Sequence, residues 1–176
     1  MRIGLKICLV AAALAGCSSV TEPSPLLRSY IEIERTNYAW VPTNQGFVID
    51  GGGHIYAWDR AGRPWSPSDP SNPTTSELDA KYESKTLERT IALTEAHNLF
   101  ALANTATLGS VSAPLQRCAD AGEITISVWT PSTEGHMKRV LIRMEGDMEQ
   151  HNESEAAKAL ASKIDELQLV GRLCNN

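Results

Sequence analysis

Apolar and polar positions alternate with a period of two where the folded part of the chain begins. Ile31 and Ile33 stand against Tyr30, Glu32 and Glu34, the pattern of a half-buried strand over about residues 29–37. Pro42-Thr43-Asn44-Gln45-Gly46 reads as a turn, Phe47-Val48-Ile49 as a short apolar strand, and Asp50-Gly51-Gly52-Gly53 as a second turn in which glycine can take positive φ. From His54 to Asp59 the alternation resumes, with Ile55 and Ala57 on one face and Tyr56 and Trp58 on the other. These segments predict a meander of about three strands. Pro64, Pro67, Pro70 and Pro73 then punctuate residues 63–75 among Ser, Asp and Asn. Proline removes backbone donors and restricts the residue before it, so an exposed loop is expected there.

Two patterns compete over residues 76–93. Ser76-Glu77-Leu78-Asp79 has the form of a helix start, whereas Glu88 to Leu93 alternates as a strand does; a strand near 86–93 is the expectation. The period then changes to 3.6. Thr94 and Glu95 suit an N-cap and an acidic first turn, and Ala96, Leu99, Phe100, Ala103 and Ala106 mark one face of a helix over about 95–106. Ile124, Ile126 and Val128 then face one way and Thr125, Ser127 and Trp129 the other, and Val140, Ile142 and Met144 repeat the alternation beyond a Pro131–Gly135 loop. Residues 123–130 and 138–145 should therefore pair as an antiparallel hairpin. Asn152-Glu153-Ser154-Glu155 has the form of a capping box. Behind it Ala157, Leu160, Ala161, Ile164 and Leu167 make an apolar stripe that stops before Gly171. The whole predicts a single α+β domain over residues 29–176, an antiparallel sheet of hairpins and meander packed by about two helices.

The first seventeen residues follow another pattern. Arg2 and Lys6 precede an apolar run from Ile7 to Leu14, which ends in Leu14-Ala15-Gly16-Cys17, the layout of a secretory signal. The run falls short of the roughly 20 apolar residues a spanning helix needs. The tetrapeptide resembles the lipobox of bacterial lipoproteins, in which small residues precede a cysteine that is acylated and becomes the new N-terminus. The resemblance implies a signal peptide over residues 1–16 and lipid on Cys17. It also implies, with Ser18 behind, a place in the cell envelope, at the outer membrane before the inner. Residues 17–28, proline-punctuated and polar as far as Pro25, are then a tether. Two or three acyl chains anchor firmly at about 0.8 kcal/mol per buried methylene, so the membrane becomes a partner through the lipid.

Cleavage leaves 160 residues and, with Arg2 and Lys6 gone, moves the formal charge from −5 to −7. That sign argues against nucleic acid or anionic lipid headgroups as partners, since binding either draws on clustered Lys and Arg. Of four cysteines, Cys8 goes with the leader and Cys17 takes the lipid, leaving Cys118 and Cys174. Two thiols in an oxidising compartment tend to pair, and a bridge closing about 57 residues restricts the unfolded chain by roughly 4 kcal/mol. A two-ligand metal site or a reactive thiol are the alternatives, with neither a CxxC spacing nor a nearby His to favour them.

Residues that could carry chemistry are scattered. His54, His97, His136 and His151 share no metal-ligand spacing, so no metal is expected. Glu145, Asp147 and Glu149 could supply a carboxylate pair, although an acidic strand end is usually solvated. The glycine run lacks a phosphate-loop pattern. Gly53 to Asp59 with Gly62 and Trp65 is similar to one blade of a quinoprotein-type propeller, but no second copy follows. No catalytic residue and no cofactor emerge. Trp40, Trp58, Trp65 and Trp129 suggest instead a non-enzymatic domain that meets an envelope protein, with Trp65 and Trp58 as contacts; for Trp65 pinning to the sheet is the favoured alternative. The order hairpin, helix, hairpin, helix is similar to small bacterial protease inhibitors of the emfourin type, which makes inhibition of an exported protease the second expectation. A hydrolase of unknown substrate is the third.

Overall fold

A computed structural model describes residues 29–39, 41–133 and 135–170. Strands β1 (Tyr30–Asn37), β2 (Thr43–Asp50) and β3 (His54–Asp59) form the predicted meander, followed by helix α1 (Thr75–Lys81), edge strand β4 (Thr86–Thr90) and helix α2 (Leu93–Ala106). Then come β5 (Leu115–Gln116), β6 (Glu123–Pro131), β7 (Met137–Gly146), β8 (Met148–His151) and helix α3 (Glu155–Glu166). All pairings are antiparallel, in one open sheet of order β4-β3-β2-β1-β6-β7-β8-β5. The fold class is α+β as expected, with a larger sheet and a third, short helix. Meander and hairpin join through β1 and β6, which pair from Tyr30↔Trp129 to Thr36↔Glu123.

One face of the sheet is covered by α2 and α3. Ala96, Leu99, Phe100, Ala103 and Ala106 of α2 and Ala157, Leu160, Ala161 and Ile164 of α3 are buried against Ile31, Ile33, Ile49, Ile55, Ile124, Ile126 and Val128. The helical spacing predicted this contact. The caps differ from expectation. Ala92, not Thr94, is the N-cap of α2 and offers no side-chain bond. The N-cap of α3 is Ser154, whose hydroxyl accepts from Ala157 N at 3.2 Å. Asn152 is buried instead: its amide donates to Ala106 O at 2.9 Å and its oxygen accepts from Ser154, which ties the end of α2 to the start of α3.

Three strand expectations shift. The segment Thr43–Gly46 belongs to β2, where Gly46 lies between Glu34 and Trp58. A Cβ at Gly46 would stand 1.9 Å from the Ile33 carbonyl oxygen, so close backbone approach, not a turn, requires this glycine. Strand β4 ends at Thr90 because Ile91 and Ala92 lead into α2. In β7 a bulge opposite Ile126/Ser127 places Met144 opposite Thr125. Directly opposed residues share a face, so Met144 leaves the face of Val140 and Ile142 that simple alternation assigned to it.

The second face is not left to solvent. Residues 71–75 run beside the first half of β7, where Met137 N donates to Pro73 O at 2.8 Å and Arg139 N to Ser71 O at 3.2 Å. A proline-rich segment can offer carbonyls to an open strand edge without presenting an edge of its own. The expected exposed loop is thus docked along one flank. It leads into α1 through a capping box: the Thr74 hydroxyl accepts from Glu77 N at 3.2 Å, and Glu77 accepts from Thr74 N at 2.8 Å. The helix start therefore falls two residues before Ser76. α1 and its C-cap Tyr82 lay Leu78, Lys81 and Tyr82 over Val48, Trp58, Trp129 and Met137.

Candidate functional site

Under α1 lies a buried charge cluster. Lys81 Nζ stands 2.5 Å from Glu32 Oε1 and 3.1 Å from Glu34 Oε1. The Tyr82 hydroxyl donates to Glu32 Oε1 at 2.8 Å and Trp129 Nε1 donates to Glu32 Oε2 at 2.9 Å. Arg139 approaches Glu34 Oε2 at 3.6 Å while donating to Ser127 Oγ at 2.9 Å and Thr125 Oγ1 at 3.2 Å. Aromatic faces complete the box: Lys81 Nζ lies 4.6 Å from the Trp65 ring centroid, 5.1 Å from Trp58 and 5.9 Å from Tyr82. Burial pushes the Glu32 carboxyl up, but Lys81, Arg139 and the hydrogen bonds outweigh it and hold the carboxyl below its usual range. Burial and the neighbouring Glu32 charge hold Glu34 above that range, and burial with Glu32 raises Tyr82 well above an ordinary phenol. Lys81 and Glu32 are 1 % and 0 % exposed. The Lys81–Glu32 pair is sealed from solvent while Arg139 at the edge of the cluster stays 31 % exposed, and the ammonium already holds two carboxylates. The arrangement suits a lock between cap and sheet.

On the opposite face, beyond the cover of α2 and α3, a cavity of about 490 Å³ opens, within the size range of small-molecule sites. Its floor is two adjacent cross-strand rows. The inner row runs Ile33–Phe47–Ala57, continued by Thr86, and the outer row runs Ile124–Arg35–Gln45–Asp59. Alternation along three strands sets these rows side by side, apolar within and polar at the mouth. Leu169 and Val170, just past α3, form a wall, and Ser84 lies at the rim. Among the described residues Arg35 forms no ion pair. Asp59 is held by its own turn, accepting from Ala61 N at 2.6 Å.

Of the residues singled out from the sequence, Trp58 and Trp65 converge on Lys81 with Trp129 against Trp65, whereas the histidines and acids do not group. Trp58 is buried at 3 % exposure and cannot serve as an outward contact. Trp129 is buried too, bonded to Glu32. Trp65 is pinned: its ring meets Trp129 edge-on at 5.9 Å and its Nε1 donates to Glu77 O at 3.3 Å. The acids go to separate structural partners, Glu145 to Arg143 at 3.2 Å, Glu149 to Arg117, and Asp147 to Ala121 N at 2.9 Å. His54 Nδ1 lies 3.0 Å from Asp50, and His136 Nδ1 lies 2.9 Å from Asn72 O. Among the described residues no three His, Cys, Asp or Glu side chains group as metal ligands, and no helix is long and apolar enough to cross a membrane. Cys118 is half-buried with its sulfur 3.1 Å from Gly146 O and engaged in a disulfide. Cys174, like Cys17, the leader, the tether and Trp40, lies outside the described residues.

Neither Lys81 nor the cavity rows emerged from the sequence. One signal was present: Tyr30, Glu32 and Glu34 share a face with Tyr56, Trp58 and Trp129, and acids set among so many aromatic rings mark a covered face. Against protein-family models, curated proteins and solved structures alike, the chain finds no match.

Proposed function

We propose that the chain is an exported, lipid-anchored envelope protein that binds a small ligand without transforming it. The anchor rests on the resemblance of Leu14-Ala15-Gly16-Cys17 to a lipobox, and the Cys118 disulfide, with Cys174 as its proposed partner, fits an oxidising compartment. The observation that carries the binding role is the cavity, an apolar hollow whose polar groups stand at the mouth. The ionisable side chains best placed for chemistry are elsewhere: one cluster is packed beneath α1, Glu145 and Glu149 pair with arginines, and Asp147 accepts from backbone N–H. With Trp58 and Trp129 buried, this reading replaces a tryptophan-mediated protein contact as the mode of binding.

Native mass spectrometry of the protein purified from cell envelopes tests both halves. The expected result is a chain beginning at an acylated Cys17 that carries one small molecule, released on denaturation. A chain that retains Met1 removes the anchor, and a chain that never carries a small molecule removes the binding role.

A further inference from the structure

The mouth of the cavity has a charge order of its own. Arg35, Gln45 and Asp59 occupy one cross-strand row, so a cation and an anion stand two strands apart with a neutral amide between them, a separation of roughly 10 Å at the backbone. All three side chains belong to the sheet face that carries Ile33, Phe47 and Ala57 one row further in. A molecule seated there meets hydrocarbon first and then, in line, a guanidinium and a carboxylate. The guanidinium has no ion-pair partner among the described residues, and the carboxylate retains its second oxygen for a ligand. A purely anionic head would be favoured by Arg35 and opposed by Asp59, and a purely cationic head the reverse. Only a head bearing both charges satisfies both sides.

From this order we infer that the cavity binds a single-chain amphiphile with a zwitterionic head, its hydrocarbon tail against Ile33, Phe47 and Ala57, its anion at Arg35 and its cation at Asp59. The inference rests on the cavity being the binding site proposed above and adds the class of ligand. A membrane-anchored chain meets such molecules as lysophospholipids.

The test uses the native, acylated full chain held in amphipol, titrated with a fluorescent lysophosphatidylethanolamine and, separately, with oleate and a neutral monoacylglycerol. The expected result is saturable binding of one lysophospholipid per chain, at least tenfold tighter than oleate or monoacylglycerol. Arg35→Gln and Asp59→Asn should each weaken it about tenfold, and Ala57→Phe, which fills the inner row, should abolish it. Val170→Trp at the wall alters no strand and should produce the same loss, which keeps the test valid if Ala57→Phe fails to fold. Oleate binding that equals the lysophospholipid and tightens in Asp59→Asn overturns the zwitterion while leaving the cavity as a binding site. Lysophospholipid binding indifferent to Ala57→Phe and Val170→Trp overturns the location. Binding that appears only after residues 171–176 are deleted overturns the inference as well, because the chain's own C-terminal segment is then the occupant.

Discussion

The two faces of the sheet are held by different physics. The helix face is packed by apolar side chains of the sheet, α2 and α3, with Asn152 as a buried polar tie between the helices, and each apolar group adds its share by leaving water. The cap face buries Trp58, Tyr82, Trp129 and Leu78 together with Glu32 and Lys81. Its charges come from β1, α1 and β7, segments far apart in the chain. A buried ion pair repays its desolvation only when every partner is in place. The helix face should therefore fail gradually under mutation, and the cap face as a unit.

Removing the cation gives the largest contrast. Lys81→Met leaves Glu32 and Glu34 buried without their ammonium and should destabilise by about 3–5 kcal/mol, read by urea unfolding. Adding Glu32→Gln should recover part of that loss, because one uncompensated charge goes with it. If the two losses simply add, the cluster is not a coupled unit. Phe100→Ala on the helix face should also cost about 3–5 kcal/mol through lost burial and a cavity. No distant polar substitution should rescue it, and combining it with Lys81→Met should give additive losses across the sheet. A smaller effect belongs to the cap's entry. Thr74→Ala removes the N-cap of α1 and should cost about 1 kcal/mol, with amide exchange rising in residues 75–82 while α2 and α3 keep their protection.

The subtlest distinction is in pH. Four hydrogen bonds, led by those from Ser68 and Thr74 backbone N–H groups, lower the Glu77 carboxyl from 4.5 to about 2. A lowered folded pKa means that the ionised form is the one that stabilises. Its contribution is intact above about pH 4.5 and lost as pH falls toward 2. Glu32, also lowered, acts in the same sense. Glu34, raised by burial and by Glu32, acts in the opposite sense: its contribution is full at low pH and declines as pH rises through its folded pKa. Exchange protection of α1, corrected for intrinsic rates, should fall between pH 5 and pH 2.5, and Glu77→Gln, which lacks the ionised form, should lower it already at pH 5 and flatten that dependence. Acid loosening of α2 before α1 would contradict this assignment.

Where burial on one side followed from periodicity, the sequence was legible. Ala96, Leu99, Phe100, Ala103 and Ala106 were placed on one helix face by spacing alone and are the buried set of α2. The alternations at 30–37 and 123–130 became neighbouring strands. The strand reading erred where it assumed a single covered face: Glu32, alternating with Ile31 and Ile33, was expected toward water and is fully buried. Local signals for the cap were present in Thr74 and Glu77, but the prolines before them concealed that residues 71–75 line a strand edge. The cavity was illegible for another reason. Its rows combine Arg35, Gln45 and Asp59 from three strands, and only the register decides which positions become neighbours.

The sequence by itself determined the periods, and with them which residues would seek an apolar neighbour, because a side chain's direction along a helix or strand is set by local backbone geometry. Tertiary structure decided the rest: that β1 lies between β2 and β6, that a proline-rich segment lines the edge of β7 while α1 covers the second face, and that Lys81 meets Glu32 and Glu34. Those contacts depend on pairing between segments up to about a hundred residues apart, as Trp129 with Glu32 shows. Each side chain can be read alone for its preference, but the energy of burying a charge depends on partners that only the assembled fold supplies.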